Sequence, residues 1–184
     1  MAPTPSGEAA WGFRRLPVPV IAAVSGHCPG GGLQIALAAD FRITRPDATW
    51  SVLEGRWGII PDMSGVQALS ELVGIDVAKR LTMTADKITG ARAQQIGLAT
   101  ELADDPVAAA FELADQLSAR SPDALAATKR LFDGTWNRSA RHTFARERWE
   151  QLPLLFGPNA RRAREANARR EVPEYLPGGR KITR

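Results

Sequence analysis

Two stretches of the chain carry residue types that could do chemistry together: a run of glycines and a pair of carboxylates. Gly30, Gly31 and Gly32 stand where a short apolar strand is expected to turn into a helix. Successive glycines allow a ligand to approach the backbone, and the first turn of a helix has N–H groups without intrahelical partners. Such donors suit an oxyanion or a phosphate. The phosphate-loop and dinucleotide patterns are absent, so a tight turn without a ligand is the alternative.

The two carboxylates are Glu54 and Asp62, which lie among apolar residues and glycines in residues 50–65. A carboxylate in apolar surroundings has its charged form disfavoured, and this is how a general acid or base is tuned towards neutral pH. The alternative for Glu54 is a surface glutamate paired with Arg56. The alternative for Asp62 is a turn residue that follows Pro61.

Other chemistries are disfavoured by the residues that they need. Ser64 lacks the first glycine of the G-x-S-x-G pattern, and neither His27 nor His142 stands in a recognisable hydrolase motif. Cys28 is the single cysteine, which excludes an internal disulfide and a cysteine-rich metal site. We therefore expect no metal at this site.

The elements that must position the glycines and the carboxylates form an alternation of strands and helices, followed by helices alone. Strands are predicted at residues 18–24 and 40–44, with a buried helix at 33–39 between them. Further helices are predicted at residues 66–73, 76–84, 89–96, 106–120, 122–136, 158–170, and from Ser139 to a stop at Pro153. These elements predict a partial α/β core at residues 17–120, a helical oligomerisation region at 121–184, and a disordered or extended N-terminus at 1–16.

Composition and charge limit the partners of the chain. Its 184 residues are 44% apolar and 24% charged, as in an ordinary globular protein. No apolar run reaches the length of a membrane span and no signal-peptide pattern is visible, so we expect a cytoplasmic protein without a membrane partner. Residues 138–184 hold 12 basic and 5 acidic residues. This surplus indicates a solvated arginine-rich face or an acidic partner subunit; nucleic acid is disfavoured because no binding motif accompanies the arginines.

Several segments together resemble the crotonase (enoyl-CoA hydratase/isomerase) family. The resemblance is carried by residues 19–27, by the glycine turn with residues 36–43, by Glu54 with residues 58–61, and by residues 84–98 and 164–175. It implies an α/β fold built as a spiral of ββα units with a C-terminal helical trimerisation region. It also implies an acyl-CoA thioester as substrate, with coenzyme A as part of the substrate and no separate cofactor.

The resemblance assigns expected roles to single residues. Gly31 matches the second of two backbone N–H donors that hold the thioester oxygen. Glu54 matches the second of two glutamates that handle protons in the hydratases, whereas Gln34 stands at the position of the first. Glutamine can hold water but cannot exchange protons, which argues against efficient hydration, whereas isomerisation needs only one carboxylate; the two reactions stay open as alternatives. Asp62 matches an acid of the dienoyl-CoA isomerases, and Gln34 and Trp57 are expected to line the substrate pocket.

We therefore expect proton transfer on an unsaturated acyl-CoA by a homotrimer or hexamer, with Glu54 and Asp62 as candidate acid/base groups. The glycine turn and Glu54 are expected at one edge of the sheet, with Trp57, Ile59 and Ile60 excluding water from the carboxylate. A dienoyl-CoA isomerase is one alternative. An impaired acyl-CoA-binding or structural remnant is the other, because family members have ββα units ahead of residue 18 that supply the first oxyanion donor. Little activity is expected of this chain alone.

Overall fold

The computed structural model describes residues 5–178. The strands are β1 (Ile21–Val24), β2 (His27–Pro29), β3 (Phe41–Thr44), β4 (Thr49–Ser51), β5 (Ile88–Thr89) and β6 (Glu101–Leu102). The helices are α1 (Pro5–Arg15), α2 (Gly31–Leu37), α3 (Gly65–Leu72), α4 (Ile75–Thr84), α5 (Gly90–Gln95), α6 (Pro106–Ser118), α7 (Pro122–Thr135), α8 (Ala140–Leu155) and α9 (Pro158–Arg169), with a 3-10 helix at Leu53–Trp57.

The described chain forms two compact units. The first contains residues 5–15 and Val20–Glu112, and the second contains Leu16–Pro19 and residues 113–178. The second unit thus begins inside α6, whereas the sequence pattern places its start at residue 121.

The first unit contains two small sheets of three strands each. One sheet joins β1, β3 and β6 in parallel, and the other joins β2 in parallel to β4 and β4 antiparallel to β5. Ile21 pairs with Phe41 in the first sheet, and His27 pairs with Thr49 in the second. Each pair of consecutive strands therefore contributes one strand to each sheet, and this repetition stacks ββα units along the chain.

The core of the first unit lies between the sheets and the helices that follow them. Its largest fully buried side chain is Trp50, whose indole N–H donates to Thr44 Oγ1 at 3.0 Å. Leu33, Leu69 and Leu98 are also almost completely buried. These contacts fix β4 against α2 and α3, the elements that flank the candidate site.

The second unit is built of helices around a buried ion cluster. Glu150 of α8 is 4% exposed and pairs with Arg130 of α7 at 2.7 Å and with Arg146 at 3.1 Å. A buried carboxylate without a cationic partner is costly, so the ion pairs with Arg130 and Arg146 stabilise Glu150 in its buried position. The cluster therefore fixes the packing of α7 against α8.

The N-terminal segment differs from its prediction, because residues 5–15 form α1 and are not disordered or extended. Pro5 is tolerated at the first helical position, where its missing N–H has no helical partner to lose. Ala10 is fully buried, and Arg14 pairs with Glu71 of α3 at 2.6 Å while it stacks on Trp11. Tertiary packing thus outweighs the cost of the glycines in this helix. Residues 1–4 lie outside the described residues.

Two other features of the chain were not predicted. Pro153 does not end α8, which continues to Leu155, because a proline so close to the end of a helix removes only one intrahelical hydrogen bond. The sequence does not indicate strands β2 and β4, since three residues are too few to show an alternating pattern. The strand predicted at residues 40–44 is confirmed as β3, and the side chains of Thr89 and Ser121 cap α5 and α7.

Candidate active site

The glycine turn connects β2 to α2 and requires glycine at its first position. Gly30 has φ +53° and ψ −124°, a conformation that side chains rarely allow. Its N–H donates to the carbonyl of Ser51 at 3.0 Å, which ties the turn to the end of β4. Gly31 opens α2, so its N–H belongs to the first helical turn and has no intrahelical acceptor.

Glu54 lies directly against this turn. It belongs to the 3-10 helix that follows β4, and a Cβ added to Gly30 would lie 3.6 Å from its Oε1. The parallel pairing of β2 with β4 explains the contact, since the segments that follow two parallel neighbours leave the sheet at the same edge. Glu54 is only 6% exposed. The alternative of a surface glutamate paired with Arg56 is therefore wrong.

Gln34 connects Glu54 to the loop that precedes α3. Its Nε2 donates to Glu54 Oε1 at 2.6 Å, and its Oε1 accepts the backbone N–H of Met63 at 2.8 Å and that of Gly65 at 3.1 Å. Gln34 is 1% exposed. The carbonyl oxygen of the amide thus accepts from the loop, and its NH₂ group donates to the carboxylate.

The second oxygen of Glu54 differs from the first. Oε2 is buried and has no hydrogen-bond partner among the described residues. A buried carboxylate oxygen without a donor is costly, so such an atom in a native fold marks a place for water or substrate. The arrangement of one engaged and one free oxygen, beside a turn with free N–H groups, is suited to proton transfer next to a developing oxyanion.

The structure does not place all of the predicted site residues beside Glu54 and the glycine turn. Asp62 is exposed, whereas Gln34 and Glu54 are buried. Trp57, Ile59 and Ile60 are exposed by 73%, 60% and 73%, so these residues do not bury the carboxylate of Glu54. Burial instead comes from the glycine turn and the amide of Gln34, because the 3-10 helix directs Glu54 inwards and Trp57 outwards.

The backbone donors of Met63 and Gly65 were missed by the sequence analysis. A Cβ added to Gly31 would also lie 3.4 Å from Met63 Sδ, so the Met63 side chain borders the start of α2. Backbone N–H groups have no residue-type signature. Ser64 and Gly65 could have indicated a turn here, but not which acceptor it serves.

Cys28 lies one residue before the end of β2, and the reactivity of its thiol tests how tightly β2 packs beside the glycine turn. Burial raises the pKa of its thiol to about 11. At pH 8 only about 0.1% is then thiolate, and the thiolate is the reactive form. We expect iodoacetamide to modify the native protein on the order of 10²-fold more slowly than the protein in urea. Equal rates by mass spectrometry would contradict the packing of β2.

The chain resembles known proteins over most of its length. The family model described as Enoyl-CoA hydratase/isomerase matches residues 8–151. A short-chain-enoyl-CoA hydratase of Clostridium acetobutylicum is 38% identical over 126 residues, which are 66% of this chain and 48% of that protein. A carnitinyl-CoA dehydratase of Salmonella typhi is 35% identical over 122 residues, which are 65% of this chain and 47% of that protein. The chain thus spans about half the length of these curated relatives.

Solved structures agree with the described fold. An enoyl-CoA hydratase from Polaromonas sp. JS666 matches with a TM-score of 0.88 at 29% identity, covering 93% of this chain and 67% of that chain. An enoyl-CoA hydratase from Bacillus anthracis matches with a TM-score of 0.89 at 26% identity, covering 92% of this chain and 67% of that chain. Within residues 5–178, no helix is both long and apolar enough to cross a membrane.

Proposed function

The chain belongs to the enoyl-CoA hydratase/isomerase family, and on this premise we propose that it moves a proton on an unsaturated acyl-CoA through an oxyanion-stabilised enolate. Its fold is the crotonase-like α/β spiral of that family, with a helical C-terminal region. The observation that carries the proposal is Glu54, buried beside the glycine turn with Oε1 engaged by Gln34 and Oε2 without a partner.

The proposed step uses Gly31 and Glu54 together. The thioester oxygen accepts the N–H of Gly31, which stabilises negative charge on that oxygen when the α-proton leaves. Glu54 Oε2 takes the proton from the α-carbon and returns it to the γ-carbon, so that the double bond moves and no atom is gained or lost. The step leaves the oxidation state of the substrate unchanged. It therefore needs no metal or redox cofactor, and coenzyme A enters as part of the substrate.

Among the reactions of the family, the geometry favours isomerisation. Addition of water requires a second group that exchanges protons, and Gln34 cannot exchange them. The alternative of a dienoyl-CoA isomerase rests on Asp62, and its exposed carboxylate supports that reaction less well than Glu54 supports a single-carboxylate enzyme. We propose Gln34 as a pocket residue through its contact with Glu54, and Trp57 as an exposed aromatic at the outer end of the same 3-10 helix.

Calorimetry and an absorbance assay test the proposal. A short 3-enoyl-CoA, the matching 2-enoyl-CoA and free coenzyme A are titrated into the 184-residue chain and into any longer reading frame that contains it. We expect both acyl-CoA thioesters to bind more tightly than free coenzyme A, and the 3-enoyl-CoA to become the conjugated 2-enoyl-CoA. Binding without turnover in either form would favour an acyl-CoA-binding remnant. Failure to bind any thioester would contradict the acyl-CoA substrate.

We also propose that the second unit forms the contacts of a homotrimer, or of a dimer of such trimers. Its exposed large apolar side chains are concentrated on α7 and α8 and include Phe132, Trp136, Phe144, Trp149, Leu152, Leu155 and Phe156. Those of α8 fall on one broad face at helical spacing. Extended apolar surfaces are rare on monomers and mark interaction sites. Residues 138–184 carry 12 basic and 5 acidic residues, a net charge of +7, and residues 1–137 carry 12 basic and 15 acidic residues, a net charge of −3; these opposite signs favour a second copy as the partner.

Sedimentation tests this interface. The unmodified protein is expected to sediment as a trimer or hexamer at micromolar concentration and moderate salt. Trp149→Glu, which places a charge on the exposed face of α8, is expected to yield smaller species. Phe111→Glu is the matched control, because Phe111 is similarly exposed on α6 in the first unit. A stable monomer of the unmodified protein would refute the interface.

A further inference from the structure

The loop before α3 contains a backbone cradle formed by Met63, Ser64 and Gly65. Ser64 adopts φ +69° and ψ 5°, the left-handed conformation, although it is not glycine. This conformation turns the N–H groups of its two neighbours towards one acceptor, and both of them reach Gln34 Oε1. Converging N–H groups of this kind form a concavity that binds an electronegative atom. The left-handed backbone at Ser64 therefore allows both N–H groups to donate to the Gln34 amide oxygen.

The cradle fixes which end of the amide faces Glu54. Exchanging the oxygen and nitrogen of Gln34 would place NH₂ against two N–H donors and a carbonyl oxygen 2.6 Å from a carboxylate oxygen. Every one of these contacts would then pair a donor with a donor or an acceptor with an acceptor. The NH₂ group must therefore point at Glu54 Oε1.

We propose that Gln34 is a positioning residue, oriented by the cradle of residues 63–65, which occupies Glu54 Oε1 and thereby reserves Oε2 for proton transfer. This inference rests on the proposed function. It identifies Oε2 as the oxygen that transfers the proton, and the backbone N–H groups of Met63 and Gly65 as the groups that orient Gln34. Met63 and Gly65 act only through Gln34. A carboxylate that is free to rotate would present either oxygen to the substrate, whereas this one presents a single oxygen in one orientation.

Gly65→Ala disturbs the cradle with little change to the backbone. Gly65 has no positive φ and lies in the first turn of α3, where alanine is acceptable. Its added Cβ would lie 2.7 Å from Gln34 Oε1, 2.9 Å from its Cγ and 3.0 Å from its Cδ, so the three nearest atoms all belong to the Gln34 side chain. The amide must therefore leave the cradle. Gly12→Ala of α1 is the matched control, since its Cβ would meet nothing within 4 Å.

Nuclear magnetic resonance of the 184-residue chain tests the orientation without any substrate. In the unmodified protein and in Gly12→Ala, one side-chain NH proton of Gln34 is expected far downfield and slow to exchange with solvent, because it donates to a buried carboxylate. Gly65→Ala is expected to lose both properties while its melting temperature stays within a few degrees. A Gln34 signal unchanged by Gly65→Ala would overturn the proposal. This outcome would leave the proposed function untouched, since it involves no turnover.

A double-mutant cycle tests the effect on the reaction. Gly65→Ala is expected to lower kcat about 10- to 100-fold with a KM within about threefold of the parent, since small misplacements of a catalytic group have effects of this size. In the Gln34→Ala background, which lacks both the amide and the Cγ that the new methyl group would meet, Gly65→Ala is expected to cause no further loss. Losses that multiply would show that Gly65 acts on the fold and not through Gln34, and would overturn the proposal. A Glu54→Gln variant that kept full turnover would instead contradict the proposed function.

Discussion

Replacing Glu54 with glutamine will lower turnover of an enoyl-CoA by about 10²- to 10⁴-fold, the range that general acid–base groups contribute. The new amide has nearly the shape of the carboxylate but cannot take up and release a proton. Glu54 is buried beside the glycine turn and its Oε2 has no protein donor, whereas the other candidate carboxylate, Asp62, is exposed. Binding of the acyl-CoA is expected to change little, because the proposed contact of the thioester oxygen is with the backbone N–H of Gly31, which the substitution leaves in place.

The turnover rate of the variant and its affinity for the acyl-CoA are measured separately. Turnover is followed by absorbance on an enoyl-CoA that the parent converts, and binding is followed by calorimetry. Glu112→Gln is the matched control, because Glu112 is an exposed glutamate of α6 and undergoes the same chemical change. A Glu54→Gln variant with turnover within about threefold of the parent would exclude Glu54 as the acid/base, since that loss is far below the expected range.

The sequence correctly predicted that the glycine turn and Glu54 lie close together, but it did not reveal the two strands that bring them there. Two strands with a glycine turn and a helix between them indicated that both segments leave a sheet at the same edge. The pair that brings them together is β2 with β4, and neither strand was recognised. Each has three residues, and β2 ends in Pro29, so neither carries the length or the alternation by which a strand is recognised. The resemblance to a family supplied the placement that periodicity could not.

The rest of the site depends on contacts that residue types do not encode. Nothing in the order of Met63, Ser64 and Gly65 indicates that two of their N–H groups meet the amide of Gln34, 29 residues or more away along the chain. Apolar neighbours in the sequence also suggested that Trp57 shields Glu54, but residues adjacent in a tight helix point in different directions. The N-terminal helix was missed because the burial of Ala10 and the ion pair of Arg14 arise only in the folded unit.

Gln34→Glu is the change with the second largest expected effect, and it is expected to raise hydration of a 2-enoyl-CoA by about 10²-fold. The cradle of Met63 and Gly65 can accept the new carboxyl, because its two N–H groups bind an anionic oxygen at least as well as an amide oxygen. The other oxygen of the new carboxyl would then face Glu54 Oε1 at the present distance of 2.6 Å. Two carboxylates that close cannot both ionise, so the pair shares one proton.

A carboxylate and a carboxylic acid held together supply both roles that addition of water needs, one group to take a proton from water and one to deliver a proton to the α-carbon. Hydration and isomerisation are measured in the same preparation, and their ratio is expected to shift towards hydration. Gln94→Glu is the matched control, since Gln94 is exposed on α5 and distant from the cradle in sequence. Adding Glu54→Gln to Gln34→Glu is expected to abolish the gain, because one member of the pair is then lost. Unchanged hydration in a folded variant that binds acyl-CoA, together with no isomerisation by the parent, would refute the single-carboxylate mechanism.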